Sequence, residues 1–237
     1  MKQHVKRKSF RALQAIALAI ALLMLLQMNV FAAANSANVF YRSKKVTKKI
    51  ALTFDDGPHP RYTERIIKIL EKYNVKATFF VIGVNIENYP GILRKISEAG
   101  HEIGNHSYSH HNVKNYDISK TETEIKKCEE IIISETGVSP KLFRPPQGAR
   151  NQVTDETAKG LGYSVILWSI DTLDWKNNPP DCITNVICKN IRGGDIILMH
   201  DYTSGQNTTC VALEEFIPIL LKKGYEFVTV SELIENT

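Results

Sequence analysis

Thr53-Phe54-Asp55-Asp56-Gly57 ends the apolar stretch Ile50-Ala51-Leu52-Thr53-Phe54 in two adjacent carboxylates. The stretch is short and rich in β-formers, so it reads as a buried strand. Gly57 and Pro58 then break it. Neighbouring acids at a strand end repel each other unless something offsets their charge. A cation bound by one acid, with the other left for proton transfer, is one such arrangement. A plain Asp-Gly turn with solvated acids is the alternative, and the rest of the chain has to decide between them.

Outward from this strand the pattern alternates. A helix is expected from about Arg61 to Tyr73, with Ile66, Ile67, Ile69 and Leu70 on its apolar side. Ala77–Val81 reads as a strand, Pro90–Ala99 as a helix closed by Gly100, Glu102–Asn105 as a short strand, and Ser119–Glu135 as a longer helix. Leu142-Phe143-Arg144 runs into a Pro-Pro turn. Beyond it the pattern predicts a helix over 152–161, a strand over 163–168, a helix from a cap at Asp181 to Ile191, and a strand over 195–199 ending at His200. A helix over 209–223, a strand over 227–230 and a short last helix complete the chain. Repeated β-then-α order means a parallel sheet, either a barrel or an open doubly wound sheet. In such folds the loops after the strands carry the chemistry.

The first 34 residues have the layout of a secretory signal peptide: Lys2, Lys6, Arg7, Lys8 and Arg11, an apolar run from Ala15 to Leu26, then Ala32-Ala33-Ala34. An uncleaved anchor is the minority reading. This leader carries five of the 30 Lys and Arg residues and none of the 25 acids. Without it the charges balance, so the basic character gives no reason to expect nucleic acid as a partner. Residues 35–49 read as an exposed basic linker and 50–237 as one domain with a full core. None of Cys128, Cys182, Cys188 and Cys210 forms a C-x-x-C pair, which argues against a zinc-cysteine site. Cys128 falls on an apolar stripe with Ile118, Ile125 and Ile132 and is expected in the core. An exported protein can pair the others, and the sequence does not choose a pairing.

Four more strand ends carry chemistry. His106-Ser107-Tyr108-Ser109-His110 has two histidines at i and i+4, which share a face if the segment is helical. Two histidines and a carboxylate make a usual divalent-metal set. His111 is adjacent but is expected to point elsewhere, and His59 and His101 are expected in loop or supporting positions rather than as ligands. Arg144-Pro145-Pro146-Gln147-Gly148 is a rigid turn whose arginine can hold a carboxylate and whose Gln147 N–H can face an oxyanion. Asp171-Thr172-Leu173-Asp174-Trp175 sets two acids beside an indole suited to a sugar ring or an apolar pocket wall. Leu198-Met199-His200 ends a buried strand in a residue that titrates near neutrality.

Taken in order, TFDDG, HSYSH, RPPQG, DTLDW and LMH resemble the polysaccharide deacetylase family, also called NodB-homology or carbohydrate esterase family 4. The resemblance spans about Ile50 to Leu233. It implies a distorted (β/α) barrel with a groove at the strand C-terminal ends. It implies a divalent metal, zinc first among the candidates, held by Asp56, His106 and His110. Asp55 is the implied general base oriented by Arg144, and His200 the implied general acid paired with Asp174. Gln147 occupies the oxyanion position, where many members carry Tyr, and Trp175 and Leu198 line the pocket for the acetyl methyl. The role of Asp171 is less defined. The expected partner is an N-acetylated glycan, with peptidoglycan N-acetylglucosamine first, and chitin or N-acetylmuramic acid as alternatives. The expected protein is a monomer that is secreted or at the cell surface, touching the membrane only through its leader. A non-catalytic glycan-binding module would lack a ligand or the base, and neither is missing.

Overall fold

The strand that ends in Asp55 is the centre of a curled parallel sheet. The computed structural model describes residues 38–45, 47–202 and 208–235. The leader and its cleavage site lie outside the described residues. The strands are β1 (Val39–Phe40), β2 (Lys49–Asp55), β3 (Thr78–Val81), β4 (Glu102–Asn105), β5 (Leu142–Phe143), β6 (Ser164–Ile166), β7 (Ile170–Asp171), β8 (Ile196–His200) and β9 (Glu226–Val228). Their order is β1-β6-β5-β4-β3-β2-β8-β7, with β9 also pairing β2, and every ladder is parallel. The helices are α1 (Tyr62–Lys72), α2 (Gly83–Asn88), α3 (Ile92–Glu98), α4 (Ile118–Thr136), α5 (Gln152–Gly160), α6 (Pro180–Asn190), α7 (Thr209–Lys222) and α8 (Val230–Ile234). Of the two architectures left open by the alternation, the molecule adopts the distorted (β/α) barrel.

The two faces of β2 explain why. Ile50, Leu52 and Phe54 point outward into the large core under the helices, together with Ile66, Leu70 and Phe216. Phe54 and Phe79 stack there with centroids 5.0 Å apart. Each such side chain contributes roughly 1.5–3 kcal/mol by leaving water. The alternate residues Ala51, Thr53 and Asp55 face inward. Ala51 packs with Phe80, Ile166, Ile196 and Val228 inside the curl. Gly104 is needed there, because a Cβ on it would overlap the Phe80 ring. Arg144, fully buried, lies over that ring with Cζ 4.0 Å from its centroid.

Several expectations need correction. The stretch 35–49 is not a solvated linker throughout. Val39–Phe40 pair with Val165 and Ile166 of β6, Ser43 is buried, and Arg42 is ion-paired with the buried Asp195. A two-residue strand amid lysines leaves no periodic signal, yet it covers an otherwise open sheet edge. Asp181 does not cap α6: Pro179 stands at the cap and Pro180 opens the helix, with no side-chain cap bond. Ile118 is exposed, while Thr121, Ile125, Cys128 and Ile132 form the buried stripe of α4. All four cysteines are free thiols. The sequence reading also missed α2 and β7, both too short to show a period.

Candidate active site

The C-terminal ends of β2 and β8 lie side by side, and their register sets Asp55 opposite His200. Around them opens a cavity of about 430 Å³ lined by Asp55, Asp56, His106, His110, Gln147, Trp168, Asp171, Trp175, Leu198 and His200. Arg144 and Asp174 stand behind this wall, both buried. All the site residues expected from the motifs are therefore brought together. His59 and His101 do not line the cavity.

Asp55 is the inward terminus of β2 and is almost fully buried. Arg144 Nη1 donates to Asp55 Oδ1 at 2.6 Å and to Thr53 Oγ1 at 2.8 Å. Its Nε and Nη2 donate to the carbonyls of Ile166 and Leu167 at 3.2 and 3.1 Å. A buried guanidinium is tolerable only with its donors satisfied in this way.

Asp56 leaves the strand with φ 75°. Its Oδ1 lies 3.5 Å from His106 Nε2 and 3.1 Å from His110 Nε2, yet takes part in no hydrogen bond. His106 Nδ1 sits 2.7 Å from the Arg144 carbonyl oxygen. A carbonyl only accepts, so Nδ1 carries the proton and Nε2 is the nitrogen offered to the site. One buried oxygen without a hydrogen and two imidazole nitrogens, all within 4.8 Å of one another, fit a divalent cation. Burial opposes ionisation of Asp56, but both histidines outweigh it and hold the carboxyl far below the usual carboxylate range. Burial likewise opposes charge on His110, and Asp56 overrides it, raising the imidazole.

The histidines do not converge on a helical face. The HSYSH segment is a loop, with Ser107 at φ 67° and His110 at φ 58°. Left-handed non-glycine residues recur around the site, at Asp56, Ser107, His110, Gln147 and Leu173. Each stores roughly 1–3 kcal/mol of strain that the surrounding bonds must offset.

On the other side, His200 Nδ1 is 2.8 Å from Asp174 Oδ1. Asp174 Oδ2 accepts from the His200 backbone N–H and from Thr209 Oγ1, both at 2.8 Å. Burial opposes charge on His200, but the bond and charge of Asp174 outweigh it and raise the imidazole to about 9. Asp171 lines the cavity and accepts the Leu173 N–H at 2.9 Å, which shapes the turn that presents Asp174. Trp175 is half exposed at the rim. Trp168 also lines the cavity, beneath Gly148, where a Cβ would come within 2.8 Å of the indole. Sequence reasoning assigned Trp168 only to a strand, although its place at a strand end was the available signal. Thr53 stands in the opening motif but drew no role there, and Thr209 and Asn85, whose Nδ2 donates to the Asp56 carbonyl at 2.7 Å, lie outside the motifs.

The profile of the family described as polysaccharide deacetylase matches residues 42–166. This chain belongs to the polysaccharide deacetylase family. A peptidoglycan-N-acetylglucosamine deacetylase of Bacillus cereus is 43% identical over 192 residues, covering 79% of this chain and 88% of the relative. The peptidoglycan-N-acetylmuramic acid deacetylase PdaC of Bacillus subtilis is 38% identical over 188 residues, covering 79% of this chain and 39% of its own length. Among solved structures, a peptidoglycan N-acetylglucosamine deacetylase in complex with a naphthyl N-oxidanyl-benzamide superposes with TM-score 0.82 at 36% identity. It covers 85% of this chain and 94% of its own. As a polysaccharide deacetylase the protein is a hydrolase, and its Asp and two His residues form a candidate divalent-metal site of the kind the family uses.

Proposed function

We propose that this polysaccharide deacetylase removes acetyl groups from N-acetylglucosamine residues of peptidoglycan, outside the cell, as a monomer exported by its leader. The observation that carries the reading is one cavity that holds Asp55 and His200 on neighbouring strands beside the Asp56–His106–His110 cluster. Similarity to peptidoglycan deacetylases supports the substrate.

Asp56, His106 and His110 would hold a divalent ion, zinc first, which when bound would supply Lewis acidity toward an amide carbonyl and a water. Asp55 takes the proton of the attacking water as general base, with its carboxylate aimed by Arg144. Gln147 lines the cavity, and its backbone N–H is the proposed donor to the negative charge that develops on the carbonyl oxygen. With Nδ1 committed to Asp174, His200 presents Nε2 to the leaving nitrogen and protonates it. The C–N bond breaks, leaving acetate and a free amino sugar. Trp175 and Leu198 wall the pocket around the acetyl methyl and exclude water from it. An acid and a base kept in different surroundings are what this hydrolysis needs.

The test is acetate release from peptidoglycan, chitooligosaccharides and N-acetylmuramic acid-containing fragments, with zinc or cobalt added. Preferential release from peptidoglycan N-acetylglucosamine is expected. No release from any of them by metal-loaded protein overturns the reading. Preferential release from N-acetylmuramic acid, which the likeness to PdaC favours, would shift the assignment to that sugar.

A further inference from the structure

His110 and His111 are adjacent, chemically alike, and only one points at Asp56. His111 is exposed, with Nδ1 2.7 Å from Ser109 Oγ. The loop that carries both is bonded to α4. There Glu124 Oε2 accepts the backbone N–H groups of Tyr108 and Ser109 at 3.1 and 2.8 Å. Its Oε1 accepts from Ser109 Oγ at 2.8 Å. A hydroxyl has one proton to give. Ser109 gives it to Glu124, so the bond to His111 must come from the imidazole, with Nδ1–H donating to Oγ. The same helix holds the other half of the loop: Asn105 Nδ2 donates to the Ile125 carbonyl at 2.9 Å, and Asn105 Oδ1 accepts from Ser107 N at 2.9 Å. Ser107 Oγ then accepts the His110 N–H at 3.1 Å.

We propose that Glu124 is a positioning residue that selects the metal ligand. Through Ser109 it ties His111 outside the site and holds the strained loop with His110 directed at Asp56. This rests on the reading of Asp56, His106 and His110 as metal ligands. Supporting partners of this kind usually set metal affinity by roughly 10–100-fold. Glu124 lies beyond His110 on a different element and touches no reacting atom, so its effect runs through the loop alone.

The experiment measures zinc and cobalt affinity of metal-stripped protein by competition with a chromophoric chelator, together with the cobalt absorption spectrum and thermal melting. Glu124→Ala is expected to bind both metals roughly 10–100-fold more weakly, with an altered cobalt spectrum. Glu124→Gln keeps an acceptor for the backbone N–H groups and should recover most of that loss. Ser109→Ala leaves those N–H bonds in place but frees His111, so it too should change the cobalt spectrum. Should Glu124→Ala fail to fold, Ser109→Ala decides. A Glu124→Ala protein that melts lower but binds with the parent's affinity and spectrum overturns the proposal, as does an unchanged spectrum in Ser109→Ala. A parent protein that binds neither metal overturns this proposal and the ligand reading together. A parent that binds while the variants match it overturns this proposal alone.

Discussion

Arg144 reaches Asp55 across the interior of the barrel, Nη1 to Oδ1 2.6 Å, with both side chains buried. Arg144 starts at the end of β5 and Asp55 ends β2, so the pair ties together strands separated by β3 and β4. Arg144→Met should destabilise the fold by about 3–5 kcal/mol, because it strands a buried carboxylate. It should also lower kcat at least as far as a misaimed base does, about 10²-fold. Urea unfolding and acetate-release kinetics check both. Arg144→Lys should not restore either, since one ammonium cannot satisfy the four bonds the guanidinium makes.

With His200 as the proposed general acid, Asp174 should set the alkaline limit of activity. It holds His200 up at about 9, so the imidazolium is available as acid below that pH and is lost above it. In Asp174→Asn the alkaline limb of kcat/KM should move down toward the ordinary value of about 6.5. Stability follows the same sign. A raised histidine stabilises fully below its unfolded value and loses that contribution as pH rises from there through about 9. The parent's stability advantage over the Asn variant should therefore shrink across that window. A limb that does not move in Asp174→Asn rejects this role.

The metal set and the base should separate by mutation. His106→Ala should abolish tight zinc binding and turnover together. Asp55→Asn should abolish turnover while zinc content stays near the parent's. Elemental analysis beside acetate release reads out both, and chelation of the parent should remove activity that added zinc or cobalt restores.

Asp201 lies under the opening turn. Its carboxyl is fully buried, accepts from Thr63 Oγ1, and leaves Oδ1 without a partner. Burial pushes it up to about 7, opposed by Thr63 and helped by the charges of Asp56 and Asp55. A carboxyl raised in the folded state stabilises fully below its unfolded value and loses that contribution as pH rises through about 7. Asp201→Asn should therefore flatten the loss of stability between about pH 4 and 7 in denaturant titrations.

Gly57 meets the same carboxyl. A Cβ on Gly57 would overlap Asp201, so Gly57→Ala should destabilise by about 1–3 kcal/mol. Adding Asp201→Ala should recover part of that, a coupling that a double-mutant cycle measures.

Five motifs at strand ends were readable because a parallel β/α chain announces its strands by short apolar runs and its chemistry by the polar loops after them. Asp55, Asp56, His106, His110 and His200 each stand at or just beyond such an end. The i and i+4 spacing of the two histidines suits a helix, yet a loop with left-handed residues converges them, and spacing alone does not tell the two apart. The strand Val39–Phe40 was lost among lysines, and Glu124 carries no local mark, since its meaning depends on what α4 packs beneath.

By itself, then, the sequence determined the succession of strands and helices, the family and the residue types that could do the chemistry. Those arise from local patterns and from motifs held in series. The tertiary structure decided which partners those residues have. Arg144 reaches Asp55 from 89 positions away, Asp174 takes the proton-bearing side of His200 from 26 away, and Glu124 sorts His110 from His111. Such pairings arise only when the sheet curls and buries polar groups. A buried donor or acceptor must then find its partner wherever the fold has put one.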